Sequence, residues 1–402
     1  MVSKVCSDWI GRQFILQKWG QRRIKDFSMR ILIACDKFKG SLSALEACQA
    51  LRDGFSDEDS SLDLVVCPVA DGGEGFAEAI VSAQNGRWHF CEASDALGRP
   101  IEARYGMIDR PDKKQAAVIE MAEASGLYRI LGLSPDVLRS SSFGTGSLIR
   151  SAVEQGAQRI LLGIGGSATN DAGIGVLAAL GVKFLNECGE ELDPIPASLE
   201  ALAEVDSEGM ISLPPIDVAC DVENPLLGPN GATMVYGPQK GASEDELQLL
   251  EAGLGHLVEV SGLGELAKQP GTGAAGGLGF GLLGFAGAQL REGFEMVAEA
   301  LGLADQVAQC DVVLTGEGSI DRQTFDGKAP MGVARLARAS GKKVIAVGGR
   351  VKDLPSGQNT FDQVLSLEAL GLTEAESMGR AGELLRIIGA GLAKEFTRLR
   401  GH

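Results

Sequence analysis

The chain has 402 residues, 45% hydrophobic and 23% charged, which is ordinary for a globular protein and long enough for two domains with separate cores. Its 37 Lys and Arg against 54 Asp and Glu give a net charge of −17. That argues against nucleic-acid binding as the main task, because neutralising phosphates takes a basic surface, but a small anionic ligand needs only a local basic pocket.

Eight cysteines are scattered without a C-x-x-C pair, and neither H-E-x-x-H nor G-x-S-x-G occurs. Zinc-ribbon, thioredoxin, zinc-protease and esterase readings are therefore poor. Dispersed thiols in apolar runs suit a reducing cytoplasm. A metal here would be held by oxygen ligands, as magnesium is. The 55 glycines follow no repeat and gather in loops, where a backbone can approach a ligand closely.

Residues 1–28 carry six basic and two acidic residues and two of the three tryptophans, without an apolar run long enough for a secretory signal. They read as an extension outside the core, from an upstream start. Arg30 to Ala34 is an apolar strand running into Cys35-Asp36-Lys37-Phe38-Lys39-Gly40-Ser41 and then a helix from about Ser43 to Gly54. Asp36 and Lys39 fall at the strand's C-terminal end, where open α/β sheets place ligand groups; the bland reading of Lys39 is a surface lysine. Leu62 to Val69 is the next strand, ending in Ala70-Asp71-Gly72-Gly73-Glu74-Gly75, and Phe76 to Ser82 resumes as helix. Glu74 suits charge compensation at a helix N-terminus better than Asp71 does.

Trp88 to Ile108 alternates around Leu97-Gly98-Arg99-Pro100 like a hairpin, and Gln115 to Glu120 is a strand. Thr145-Gly146-Ser147 opens a helix through about Gln155. Arg159 to Leu162 then breaks into Gly163, Gly165 and Gly166, followed by Ser167, Thr169, Asn170 and Asp171 and a helix from Ile174 to Leu180. Strand, glycine loop and helix N-terminus is an arrangement that offers N–H groups to an anion. A capped turn is the competing explanation of the same residues. Val182 to Leu185 and Ile216 to Cys220 are further strands, the latter ending in Asp221-Val222-Glu223-Asn224-Pro225.

Gln269 to Leu290 carries no charge but contains eight glycines, too low in hydrophobicity for a membrane span. It reads as a glycine loop leading into a buried helix. Asp311 to Leu314 is a strand ending in Thr315-Gly316-Glu317-Gly318-Ser319-Ile320-Asp321, and a helix covers Met331 to Ser340 after Lys328. Lys343 to Val347 ends in Gly348-Gly349-Arg350, Phe361 to Leu367 is the last strand, and Glu374 to Leu399 reads as one long helix. The two ends share a rhythm that the middle lacks. The expected fold is α/β with two domains: a doubly wound parallel sheet, Rossmann-like, over 29–90 plus 295–402, with a second α/β domain inserted over 91–294.

Two dinucleotide fingerprints compete for attention. Gly271 to Gly276 fits G-x-G-x-x-G but follows no strand. Gly163 to Ala168 fits G-x-G-x-x-A after a strand, with Glu187 about where a ribose-binding acid belongs. That supports an NAD-dependent oxidoreductase acting on a small hydroxy acid, yet leaves the other acid-bearing strand ends unexplained. No Walker A sequence is present. Phosphoryl transfer needs N–H donors, cations, carboxylates for Mg²⁺ and a group to orient or deprotonate the attacking hydroxyl. The strand ends offer all of these, and residue reasoning alone reaches an α/β enzyme for a small phosphate-bearing or acidic ligand. A non-catalytic ligand-binding protein is the third reading.

Taken in order, DKFKGSLSA (36–44), ADGGEG (70–75), SSFGTG (141–146), GIGGSATNDAG (163–173), ACDVENPL (219–226), GAAGGLG (273–279) and TGEGSIDRQTFDGKAPMGVA (315–334) resemble the bacterial-type glycerate kinase family. The resemblance implies ATP-dependent phosphorylation of D-glycerate, on the 2-hydroxyl, giving 2-phosphoglycerate and ADP, in a two-domain fold with the site in the cleft. The acidic balance and the lack of a membrane span lead to the expectation of no nucleic acid and no membrane as partner. Cys35 and Lys37 depart from the family's proline and serine, and Ala172 from its glycine. On this reading Asp171 or Asp221 orients or deprotonates the hydroxyl, and Glu317 and Asp321 hold Mg²⁺. Lys39 and Lys328 neutralise phosphate or carboxylate. The loops at Gly165-Gly166-Ser167 and Gly276-Gly277 meet phosphate or substrate. Asp36, Ser41, Asp71, Gly72, Gly73, Glu74, Asn170, Asn224 and Arg350 complete the expected contacts.

Overall fold

The computed structural model describes residues 29–110, 114–325, 328–352, 360–368 and 372–400. The expected N-terminal extension, and Asp326-Gly327 of the last motif, lie outside the described residues. The chain divides into two units, one ending at Asp71 and resuming at Val297, the other spanning Gly72–Met296.

The first unit is built on a five-stranded parallel sheet. Its order across the sheet is Gln363–Ser366, Lys343–Val351, Val312–Ile320, Arg30–Cys35, Asp63–Val66. The chain winds outward in opposite directions from the pair Arg30–Cys35 and Val312–Ile320, so the topological switch point lies between them. Each strand is a run of apolar residues, as a sheet covered on both faces requires. Ile31, Ile33, Val312, Leu314, Ile345 and Val347 bury against helices Ala44–Glu58 and Ala381–Arg400. The alternate residues Leu32, Val313 and Val344 are equally buried, with helices Leu303–Gln309 and Ala329–Ala339 packed on the same strands. Ser43 starts the first helix with a reciprocal capping box to Glu46. The two helices on the first face touch backbone to backbone: a Cβ on Gly54 would lie 1.9 Å from Arg386 O, and one on Gly389 2.3 Å from Leu51 O.

Two expectations for this unit need correction. The strand expected to end at Leu314 continues to Ile320. Its glycines are strand positions pressed on neighbouring backbone, not loop positions: a Cβ on Gly316 would lie 2.3 Å from Val347 O. The single terminal helix is two, Glu374–Gly379 and Ala381–Arg400, the first capped by Thr373.

The second unit holds a six-stranded mixed sheet in the order Gln289–Arg291, Ile216–Ala219, Arg159–Gly163, Gln115–Glu120, Pro100–Asp109, Arg87–Ser94. The first four are parallel, and the hairpin Arg87–Ser94 with Pro100–Asp109 adds an antiparallel edge. This unit begins at Gly72, earlier than the expected 91, because helix Phe76–Ala83 packs on the second sheet. A Cβ on Gly106 would lie 2.0 Å from a Val81 methyl, so the strand's glycine makes room for that helix. The uncharged stretch forms Ala274–Phe285, which is kinked by non-helical backbone at Ala275, Gly276 and Gly277 and continues as helix within the core. Among the described residues no helix is long and apolar enough to cross a membrane.

Candidate active site

In the first unit, the C-terminal end of strand Arg30–Cys35 lies beside strand Val312–Ile320 at the switch point, with Cys35 opposite Gly316. Asp36 follows the first strand and is buried, as is Glu317 on the second. Burial pushes the Asp36 carboxyl up to about 7; the carboxylates of Asp71 and Glu317 push the same way, and Lys37 opposes them. The Lys37 ammonium stands 3.9 Å from Asp36 Oδ1 and 4.0 Å from Asp71 Oδ1. Glu317 is likewise raised by burial, against the Thr324 hydroxyl that donates to Oε1 at 2.6 Å and Lys328 Nζ at 3.4 Å from Oε2. Asp321 Oδ2 accepts from Ser319 Oγ at 2.9 Å, and Arg350 Nε donates to the same Ser319 oxygen at 3.1 Å. Lys39 is exposed, its backbone N 3.0 Å from where a Gly318 Cβ would sit. Ser41 Oγ donates to Met378 O at 2.6 Å, which ties this loop to helix Glu374–Gly379.

This end of the unit therefore concentrates carboxylates against Lys37, Lys328 and Arg350. Such a donor set suits a hard divalent cation that takes one or two carboxylates and completes its shell with phosphate oxygens and water. Among the described residues no group of three or more His, Cys, Asp or Glu side chains forms a ready cage.

In the second unit, the glycine-bearing motifs meet at the C-terminal ends of strands Arg159–Gly163 and Ile216–Ala219. A Cβ on Gly165 would lie 2.7 Å from Gly73 Cα, and one on Gly72 would lie 3.0 Å from Ala219 Cβ and 3.4 Å from Asp221 Oδ2. Gly72 has φ +87 and Gly166 φ +72, the left-handed region in which glycine is unstrained. Asp221 is exposed at its strand's end and accepts from Gly293 N at 2.8 Å. Glu74 is also exposed. Asn224 is braced by Tyr236, whose hydroxyl donates to Oδ1 at 2.7 Å, and by its own donation to Asn230 O at 2.8 Å.

Ala275, Gly276 and Gly277 are three consecutive left-handed residues. A Cβ on Gly276 would lie 2.0 Å from Thr169 O and 2.7 Å from Asn170 Cα, so this loop lies directly on the Thr169–Asp171 backbone. Ala172 itself takes φ 51 and donates its N–H to Gly276 O at 3.0 Å.

Asp171 is fully buried and its oxygens are filled. Ser142 donates from both N and Oγ at 2.7 Å to Oδ2, Gly175 N donates to Oδ2 at 3.2 Å, and Gly173 N to Oδ1 at 3.1 Å. Burial raises its carboxyl and these donors oppose the rise. A carboxylate so occupied braces the loop and the first turn of helix Ile174–Ala179; of the two, Asp221 is the exposed one.

Sequence reasoning passed over Ser142, Thr233 and Lys240. Lys240 is 3% exposed, its Nζ donating to Thr169 O at 2.6 Å, and burial lowers its ammonium to about 7 against the pull of Asp171. Pro238-Gln239-Lys240-Gly241 reads as a solvated turn, and no periodicity marks its lysine as buried.

The dinucleotide reading finds no support. After Gly163 the chain runs through a polar loop, and the helix begins only at Ile174, so the fingerprint glycines do not open it. Glu187 follows strand Lys183–Leu185, which pairs antiparallel with Glu204–Asp206 in a separate sheet.

The sequence model of the glycerate kinase family matches residues 31–397. A glycerate kinase of Bacillus subtilis (strain 168) is 44% identical over 329 residues, 80% of this chain and 85% of the relative. A glycerate 2-kinase of Escherichia coli (strain K12) is 43% identical over 331 residues, 81% and 86% of the two chains. A crystal structure from Salmonella typhimurium LT2, provisionally named glycerate kinase 2, superposes with a TM-score of 0.82 at 39% identity, covering 93% of this chain and all of that one. The chain belongs to the glycerate kinase family.

Proposed function

We propose that this chain transfers the γ-phosphoryl group of ATP to the 2-hydroxyl of D-glycerate, giving 2-phosphoglycerate and ADP. Family membership supports the reaction class, and the name of the Escherichia coli relative, glycerate 2-kinase, supports the 2-hydroxyl. The observation that carries the reading is the gathering, within one unit, of the loops at Gly72-Gly73, Gly163–Gly166 and Asp221 at adjoining strand ends.

The glycine loops present backbone N–H groups to phosphate or to the glycerate carboxylate. Asp221 orients the attacking hydroxyl and takes its proton as the oxygen closes on the γ-phosphorus in line with the departing β–γ bridge oxygen. Asp171 keeps the Asn170 loop in shape. Lys39, Lys328 and Arg350 offset phosphate charge. Glu317 and Asp321 are the residues that would hold Mg²⁺, whose role when bound is to neutralise phosphate charge. The chain acts where ATP is abundant and thiols stay reduced, in the cytoplasm, which agrees with its free cysteines.

The test incubates the purified chain with D-glycerate, ATP and Mg²⁺, follows ADP release and resolves 2- from 3-phosphoglycerate by phosphorus NMR. Absence of ADP release sinks the kinase reading, and 3-phosphoglycerate as product sinks the 2-hydroxyl.

A further inference from the structure

Asn170 is 1% exposed and its carboxamide is half satisfied. Nδ2 donates to Thr233 Oγ1 at 3.0 Å, whereas Oδ1 has no partner, and neither has Oγ1 of the neighbouring Thr169. Buried acceptors left unpaired are costly and rare, and a polar ligand is one of the few reasons to keep them. The groups that hold this segment come from one short stretch. Helix Ala232–Tyr236 supplies Thr233, and the turn after it supplies Lys240, whose ammonium takes the Thr169 carbonyl at 2.6 Å. A buried lysine is itself expensive, and burial has depressed its basicity. Asp171 is the charged group that acts on it. Gly276 also presses on this segment, leaving no room for even a Cβ.

Thr169-Asn170 is thus held at the backbone by Lys240, at the side chain by Thr233, and against the backbone of Gly276. The side-chain oxygens Thr169 Oγ1 and Asn170 Oδ1 are left unpartnered. We propose that Lys240 and Thr233 are positioning residues that fix this segment so that Asn170 presents its carboxamide oxygen to a hydroxyl of glycerate. Neither residue touches the reacting atoms. The inference rests on the glycerate kinase reading and deepens it by naming what sets glycerate recognition.

The test measures kcat and the KM of each substrate for the full chain and for Lys240→Met, Thr233→Val, Asn170→Ala and the pair Lys240→Met with Asn170→Ala. Lys240→Met and Thr233→Val are expected to raise the KM for D-glycerate about tenfold or more while the KM for ATP stays within about twofold. The pair should be no worse than Asn170→Ala alone, because both changes remove one interaction. A purely structural role would instead weaken both substrates alike, or add to the Asn170 effect, and either result overturns the proposal. So does an unchanged glycerate KM, which would leave Asn170 holding a water. If Lys240→Met fails to fold, Thr233→Val carries the test, being close in shape and leaving the buried lysine in place. No ADP release by the wild-type chain overturns the kinase reading and this inference together; turnover by the wild type with unaffected variants overturns this inference alone.

Discussion

Ser142 gives both its backbone N–H and its hydroxyl to one oxygen of Asp171, each at 2.7 Å. The same Ser142 hydroxyl oxygen accepts from Val176 N at 3.1 Å, so one serine ties the carboxylate to the first turn of helix Ile174–Ala179. Asp171→Asn puts an N–H₂ among these donors or turns it away and strands them. The variant is expected to lose about 1–3 kcal/mol of stability, read as a lower thermal midpoint, with kcat and both KM values disturbed together. An unchanged midpoint with kcat alone abolished would return Asp171 to the role of proton acceptor.

Asp221 is the contrasting case. It is exposed, at a strand end, and accepts from Gly293 N at 2.8 Å. Asp221→Asn keeps the shape and one acceptor oxygen but cannot take a proton. Its thermal midpoint should stay near wild type while kcat falls by roughly 10²–10⁴, the usual worth of a positioned base. Initial rates at saturating D-glycerate and ATP decide this, and a kcat within a few-fold of wild type removes Asp221 from the chemistry.

The contrast between these two aspartates marks what a sequence can carry. Both follow apolar strands and both precede glycine-rich segments, so both read as strand-end acids. Which one is occupied depends on Ser142, 29 residues before Asp171 in the chain, and no local pattern encodes that contact. Continuous apolar runs such as that in Gln115–Glu120 are legible because a strand covered on both faces demands them. Gly316 and Gly318 misled, since a glycine that makes space for a neighbouring strand has the same letter as one that makes a turn. Lys240 is invisible because the carbonyl that takes its ammonium belongs to Thr169, which lies 71 residues away.

Asp36 offers a test through pH. Its carboxyl is raised from 3.8 to about 7 by burial and by its acidic neighbours, so between those values the folded chain holds a proton that the unfolded chain has released. Stability then falls as pH rises across that window and levels off above about 7, by at most about 4 kcal/mol at about 1.4 per unit. Asp36→Asn cannot ionise and should flatten the slope, leaving the variant more stable than wild type at pH 8 and close to it at pH 4. Thermal midpoints measured across pH in chelator-treated buffer check this; parallel curves would show that Asp36 stays ionised throughout.

Glu317 bears on the same charge concentration from the side of the cation. Thr324 and Lys328 hold its two oxygens in place without neutralising its burial, and Asp71 raises it further. A carboxylate kept there at such cost is explained if a divalent cation repays it when ATP arrives. Glu317→Gln keeps the Thr324 bond and removes the charge. The Mg²⁺ concentration giving half-maximal rate should then rise about tenfold, with the KM for D-glycerate little changed, and chelation of Mg²⁺ should abolish turnover in both forms. Titrating Mg²⁺ at fixed ATP and following ADP release separates the outcomes: an unshifted Mg²⁺ midpoint with lowered kcat would mean that Glu317 acts on Lys328 and leaves the metal to Asp321.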